Sequence, residues 1–217
     1  MATSDVPESA QALVAIYADE SCLGNGQAGD NPGGAAGVIE YKSLRTGRLA
    51  RRDYWVSEPA TTNNRMALRS VIEGLRIISR NDASLSVLFT SDSQYLIRGI
   101  NEWAPGWIAA GWRRKTGPIE NLDLWREAVE LVRRHRCAFR WVRGHQGHPQ
   151  NEYANDLAVR AARDQSCSTG AVPSGFDRWI EAERERGALR AEPDPFPDVA
   201  AFSVSTRLPP LADSSAP

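Results

Sequence analysis

Two short apolar runs each end in an aspartate, and this feature limits the possible folds more than any other. Leu13-Val14-Ala15-Ile16-Tyr17-Ala18 runs into Asp19, and Leu85–Thr90 runs into Ser91-Asp92. A strand with one wet face alternates apolar and polar residues, whereas an unbroken apolar run marks a strand covered on both faces. Such strands belong to an α/β fold with helices packed above and below the sheet. Ligands of sheets with parallel neighbours collect beyond the carboxyl ends of the strands. If the two runs are adjacent, Asp19 and Asp92 converge at one rim. Like charges held close are costly unless a cation neutralises them, and an oxygen-only donor set favours a hard ion, Mg²⁺ or Mn²⁺. A single strand-end aspartate more often caps a turn, so the argument rests on the pair.

The remaining pattern supplies the other elements. After a glycine-rich loop, Ala36–Tyr41 and Arg51–Val56 read as strands joined by a turn at Thr46-Gly47, giving an antiparallel meander with the first run. Leu68, Val71, Ile72, Leu75 and Ile78 recur at helical spacing, with Thr62 or Asn63 able to cap that helix. Helices are expected over Ser93–Glu102, Leu122–Arg134 and Glu152–Arg163, and a further strand over Phe139–Val142. The expected core, residues 12–164, is a five-stranded mixed sheet: three antiparallel strands, then two parallel ones, flanked by helices. Residues 1–11 form a polar extension. Residues 165–217 hold seven of the 13 prolines and eight acids against five arginines. They read as a largely flexible tail, in which Phe176–Arg190 could form a short helix but reads first as a solvated, partly disordered stretch.

Composition narrows the class. With 41% hydrophobic and 24% charged residues the chain can bury a core. No apolar run reaches the roughly 18–20 residues that span a membrane, and the N-terminus lacks a basic, apolar leader. Three widely spaced cysteines, Cys22, Cys137 and Cys167, form no C-x-x-C pair and read as reduced thiols. A cytoplasmic monomer is the expectation. The net charge of −1 means that any nucleic-acid-binding surface is local.

Five blocks occur in one order: Asp19-Glu20-Ser21-Cys22-Leu23-Gly24-Asn25, Thr62-Asn63-Asn64-Arg65-Met66, Thr90-Ser91-Asp92-Ser93-Gln94-Tyr95, Asn121-Leu122-Asp123-Leu124-Trp125, and Trp141-Val142-Arg143-Gly144-His145-Gln146-Gly147-His148-Pro149-Gln150-Asn151-Glu152. Together they resemble bacterial-type ribonuclease HI over residues 12–163. The resemblance implies the ribonuclease H-like fold and an endonuclease that hydrolyses the RNA strand of RNA–DNA hybrids with two divalent ions. It makes Asp19 and Asp92 metal ligands and gives His145 a part in proton transfer or product release. His148 is expected to pack or hydrogen-bond within its loop. Asn25, Asn63, Asn64 and Gln94 match positions that contact the hybrid, where short amides suit 2′-hydroxyls and base edges; the loop is longer than usual, and Asn31-Pro32-Gly33-Gly34 could claim the alignment given to Asn25. Asn63 and Asn64 have helix capping as their other reading. The segment from Trp103 through Trp107 to Trp112-Arg113-Arg114-Lys115 resembles the family's basic handle, in which aromatics and cations seat a phosphate strand. It is poorer in charge here, with Ile108-Ala109-Ala110 where cations are usual.

Two positions depart from the family pattern. The acid that follows Asn-Asn-Arg-Met is Ala67, and Glu58 and Glu73 are too distant to replace it. The last acid is Asn155, a neutral oxygen ligand, with Asp156 turned about 100° away around the helix and Glu152 nearer the right face. Two acids of four would remain. The expectation is therefore a ribonuclease H of altered or reduced activity using Asp19, Asp92, Asn155 and His145. The alternative is a hybrid-binding protein of the same fold that no longer cuts.

Overall fold

The computed structural model describes residues 12–24, 31–80, 83–144, 146–189, 191–206 and 208–209. The first apolar run becomes β1 (Ala12–Cys22), which pairs antiparallel with β2 (Gly33–Ser43); β2 in turn pairs with β3 (Leu49–Glu58). Helix α1 (Asn63–Ile78) leads to β4 (Ser86–Ser91), which lies parallel to β1. Next come α2 (Gln94–Arg98), a π-helical turn (Gly99–Trp103), α3 (Ala104–Ala109) and α4 (Leu122–Arg133). Strand β5 (Arg136–Trp141) runs parallel to β4 and is followed by α5 (Pro149–Asp164). The chain then adds β6 (Val172–Pro173), α6 (Phe176–Glu185) and a 3₁₀ turn (Val199–Phe202). The sheet order is β5-β4-β1-β2-β3-β6.

The unbroken run of β1 has the cause expected of it. Val14, Ile16 and Ala18 join the core beneath α1 and α4, while Leu13, Ala15 and Tyr17 join the core beneath α5 and α6. Every member of the Leu68–Ile78 stripe is buried. Thr62 caps α1, its Oγ1 accepting from the Arg65 N–H at 3.3 Å. The helix expected over Ser93–Glu102 instead becomes α2 followed by the π-helical turn. Gly99 opens that turn directly against the buried Trp125 ring, where an added Cβ would lie 2.0 Å from Cη2; the close approach requires glycine.

One expectation needs correction. The sheet has six strands rather than five, because β6 pairs with the outer edge of β3 through Val172 and Pro173. A two-residue strand containing proline carries no alternation, and proline is tolerated at a sheet edge. The C-terminal segment, read from sequence as largely flexible, makes packing contacts at several of its described residues. Phe176, Ile180 and Phe202 are buried, and Phe176 meets Tyr153 with ring centroids 5.4 Å apart. Asp53 Oδ2 accepts from Tyr153 Oη at 2.6 Å and from the Gly175 N–H at 2.9 Å, fastening the segment to β3. Beyond the 3₁₀ turn, Ser205 Oγ accepts from the Phe139 N–H at 2.9 Å, on the outer side of β5. The segment thus covers both edges of the sheet, which otherwise invite pairing with other chains. Among the described residues no helix is long and apolar enough to cross a membrane.

Phe176→Ala tests this packing. It should lower the unfolding free energy by about 3–5 kcal/mol, the usual cost of emptying a buried aromatic site, as read by urea denaturation. A change under about 1 kcal/mol, as for a surface substitution, would mean the segment contributes little.

Candidate active site

Parallel pairing of β1 with β4 brings their carboxyl ends to one rim, as the sequence led us to expect. Asp19 is buried on β1 and Asp92 follows β4 directly. A third acid joins them: Asp19, Glu20 and Asp92 each offer a carboxylate oxygen within 4.8 Å of the other two. Glu20 was absent from the expected set. Successive strand residues point to opposite faces, so Glu20 continues the Val14-Ile16-Ala18 side. That side is covered by α1, where Ala67 is fully buried in the same core cluster. The acid missing from α1 is thus matched by one rising from the neighbouring strand. The sequence signal was the Asp-Glu pair at a strand end together with an alanine on the facing helix.

The amide partners come from α5. Asn151 is buried and donates from Nδ2 to Asp19 Oδ2 at 3.1 Å. Glu152 lies close enough to raise the cost of charging Asp19. At 100° per residue, Asn155 projects between these two on the helical wheel, one turn further along. This places it on the Asp19 side of the helix, half-buried. Asp156 pairs with Arg160 at 3.3 Å. Glu58 and Glu73 pair with Arg65, Arg69 and Arg76, so neither serves the rim. Gly144 closes the opposite side: a Cβ there would fall 2.1 Å from Asp92 Oδ2. Trp141 Nε1 donates to the Asp92 carbonyl at 2.9 Å.

The electrostatics penalise charging this cluster. Burial and the neighbouring Asp92 push the Asp19 carboxyl up to about 9. The same two causes, in the same order, push Glu20 up to about 8. One oxygen of Glu20, Oε2, is buried without a hydrogen-bond partner. A carboxylate oxygen held out of water next to other acids is expensive, and a hard dication would relieve the cost.

The described substrate-contact candidates lie at the starts of α1 and α2, on α3 and in the loop after α3. Asn63 and Asn64 open α1, with Asn64 exposed and Asn63 Oδ1 buried and unpartnered. Thr62 performs the capping, so neither amide is used for it. Gln94 is exposed at the start of α2, two residues after Asp92. Trp107 packs between Trp103 and Trp125, at 5.9 and 5.6 Å. Arg113, Arg114 and Lys115 are exposed in the loop beyond it, where Arg114 Nε donates to the Gly117 carbonyl. Asn25 and His145 lie outside the described residues. His148 differs from expectation, since its Nδ1 faces Asp194 Oδ2 of the C-terminal segment at 3.4 Å rather than a group of its own loop.

Comparison with known proteins gives a consistent picture. The RNase H family model matches residues 11–163. The chain is similar to ribonuclease H of Stutzerimonas stutzeri (strain A1501), 42% identical over 148 residues, covering 68% of this chain and 89% of that protein. It is also similar to ribonuclease H of Sulfurovum sp. (strain NBC37-1), 40% identical over 155 residues, covering 71% and 94%. Among solved structures, LC9-RNase H1 is described as a type 1 RNase H with the type 2 active-site motif. It aligns at a TM-score of 0.85 and 51% identity, over 99% of this chain and 100% of that one.

The raised carboxyls carry a pH signature. The folded protein holds protons that the unfolded chain releases near pH 4, so without metal its stability falls as pH rises from about 4 towards 9. Added Mg²⁺ should offset that loss increasingly over the same interval. Thermal melts with and without Mg²⁺ measure both effects. The variant carrying Asp19→Asn and Glu20→Gln should flatten both; an unchanged slope would exclude these two groups as its source.

Proposed function

The chain belongs to the ribonuclease H family, and from that premise we propose that Asp19, Glu20, Asp92 and Asn155 form the centre at which it hydrolyses the RNA strand of RNA–DNA hybrids. The observation that carries this reading is the meeting of three carboxylates within 4.8 Å at the sheet rim. It revises the sequence-based view that two acids remain, because Glu20 supplies a third. The description of LC9-RNase H1 as a type 1 enzyme with a type 2 active-site motif agrees with a site in which an acid has changed position within a kept fold.

The residues present suit divalent ions: three hard oxygen donors, a buried Glu20 oxygen without a partner, and carboxyls whose charging is penalised by one another. Two Mg²⁺ or Mn²⁺ ions at such a site supply charge stabilisation at the phosphate and an activated water. The protein's own part is geometric. Asn151 fixes the Asp19 carboxylate through Oδ2, and the Trp141 indole holds the Asp92 backbone. Asn155 adds a neutral oxygen where a fourth acid would raise repulsion further. Asn63, Asn64 and Gln94 offer amides along one side of the rim to the 2′-hydroxyls of the hybrid. Trp107 with Arg113, Arg114 and Lys115 seats the partner strand, with the salt sensitivity of phosphate contacts. Asn25 joins the substrate contacts, and His145 assists proton transfer or product release.

A labelled RNA–DNA hybrid incubated with the protein and Mg²⁺, then Mn²⁺, tests this function directly. Cleavage of the RNA strand is expected with either ion; tight binding without cleavage would favour the non-cutting alternative. Glu20→Gln should cost ~100-fold or more in rate, since even groups one shell beyond a metal ligand are worth about 10–100-fold. Ala67→Glu, which returns the family acid, should give no gain, because it places a second carboxylate in a fully buried position on the side Glu20 occupies. A large gain from Ala67→Glu would show instead that Glu20 does not serve.

A further inference from the structure

The proline-rich part of the C-terminal segment lies beyond the residues matched by the family model, yet it reaches back to the start of α5. Its sequence is Pro193-Asp194-Pro195-Phe196-Pro197. Alternating prolines fix φ and hold the preceding residues extended, so this stretch is a stiff strap with two non-proline side chains to place. Asp194 meets the start of α5 three times. Its N–H donates to Gln150 Oε1 at 3.1 Å, its carbonyl accepts from Gln150 Nε2 at 2.8 Å, and its carboxylate faces His148 Nδ1 at 3.4 Å. Gln150 is fully buried, so its amide would be costly to leave unpaired. Phe196 anchors the other end, stacked on Phe202 at 5.7 Å with the Lys42 ammonium 5.2 Å from its ring.

The next residue of α5 after Gln150 is Asn151, the donor to Asp19. His148 is the N-cap of this helix and makes no side-chain cap hydrogen bond. The first turn of α5 therefore lacks the usual local support and takes it from the strap. We infer that the Pro193–Pro197 strap is a positioning element of the metal centre, holding the first turn of α5 so that Asn151 orients Asp19 for the cation. The inference rests on the metal-dependent reading given above. Asp194, Gln150 and Phe196 are positioning residues and touch neither substrate nor ion.

The test compares three variants of the full-length chain. Gln150→Met breaks both amide bonds to Asp194 and also the amide's contact with the buried Glu40. Phe196→Ala loosens the strap from its far end, where it stacks on Phe202, without altering any residue of α5. Phe176→Ala serves as a stability control in the same C-terminal segment but outside the strap. Mn²⁺ alone is titrated into each by calorimetry, and hybrid cleavage is then measured against Mn²⁺ and substrate concentration. Gln150→Met and Phe196→Ala should each weaken Mn²⁺ binding by about 10-fold, within the range for groups that orient metal ligands. They should lower kcat while leaving KM for the hybrid within about twofold, and Phe176→Ala should leave Mn²⁺ affinity unchanged despite its lower melting temperature. Wild-type affinity in folded Phe196→Ala, or an equal loss in Phe176→Ala, would overturn the inference. A wild-type chain that neither binds Mn²⁺ nor cuts hybrid would overturn the functional reading itself, a result separate from variants that match an active wild type.

Discussion

Repulsion among three carboxylates at one rim of the sheet is the constraint around which this molecule is organised. Asp19, Glu20 and Asp92 are held within 4.8 Å of one another, partly out of water, in an arrangement that charged groups leave unless something prevents it. What prevents it is the sheet. Parallel pairing of β1 and β4 fixes two of the acids, and the strand's own alternation brings the third from the opposite face. The apolar cores on both faces of β1 supply the free energy that keeps this costly cluster together, at roughly 25 cal/mol per Å² of apolar surface buried.

Much of this was legible in the sequence. The unbroken run before Asp19 implied helices on both faces, and the stripe from Leu68 to Ile78 implied the helix that covers one of them. The convergence of Asp19 and Asp92 followed from strand ends and parallel neighbours. Glu20 was missed because a family pattern assigns its acid to the residue after Asn-Asn-Arg-Met, and Ala67 there reads as a loss. Only the three-dimensional relation of strand to helix brings Glu20 beside Asp19 and Asp92, the basis of the relocation proposed above. Contact between Asn151 and Asp19 was equally hidden, since the pattern directs attention to Asn155 one turn later.

The contacts of the C-terminal segment were hidden for a different reason. Prolines and acids at a chain end usually signal disorder, because such sequences bury too little apolar surface to offset ordering. Here the apolar residues are few but large, and they dock as two stacked pairs, Phe176 with Trp179 and Phe196 with Phe202, against one core cluster. Prolines between them reduce the entropy lost on docking. The same composition that suggested a loose tail describes a stiff strap.

The central claim is that Glu20 does the work of the acid absent at position 67. The most direct test is a crystal structure of the protein soaked in Ca²⁺, with the ion located by its anomalous signal. A Glu20 oxygen should lie in the coordination sphere with Asp19 and Asp92, at about 2.3–2.6 Å. A Ca²⁺ held by the two aspartates with Glu20 turned away into the α1 layer would contradict the account.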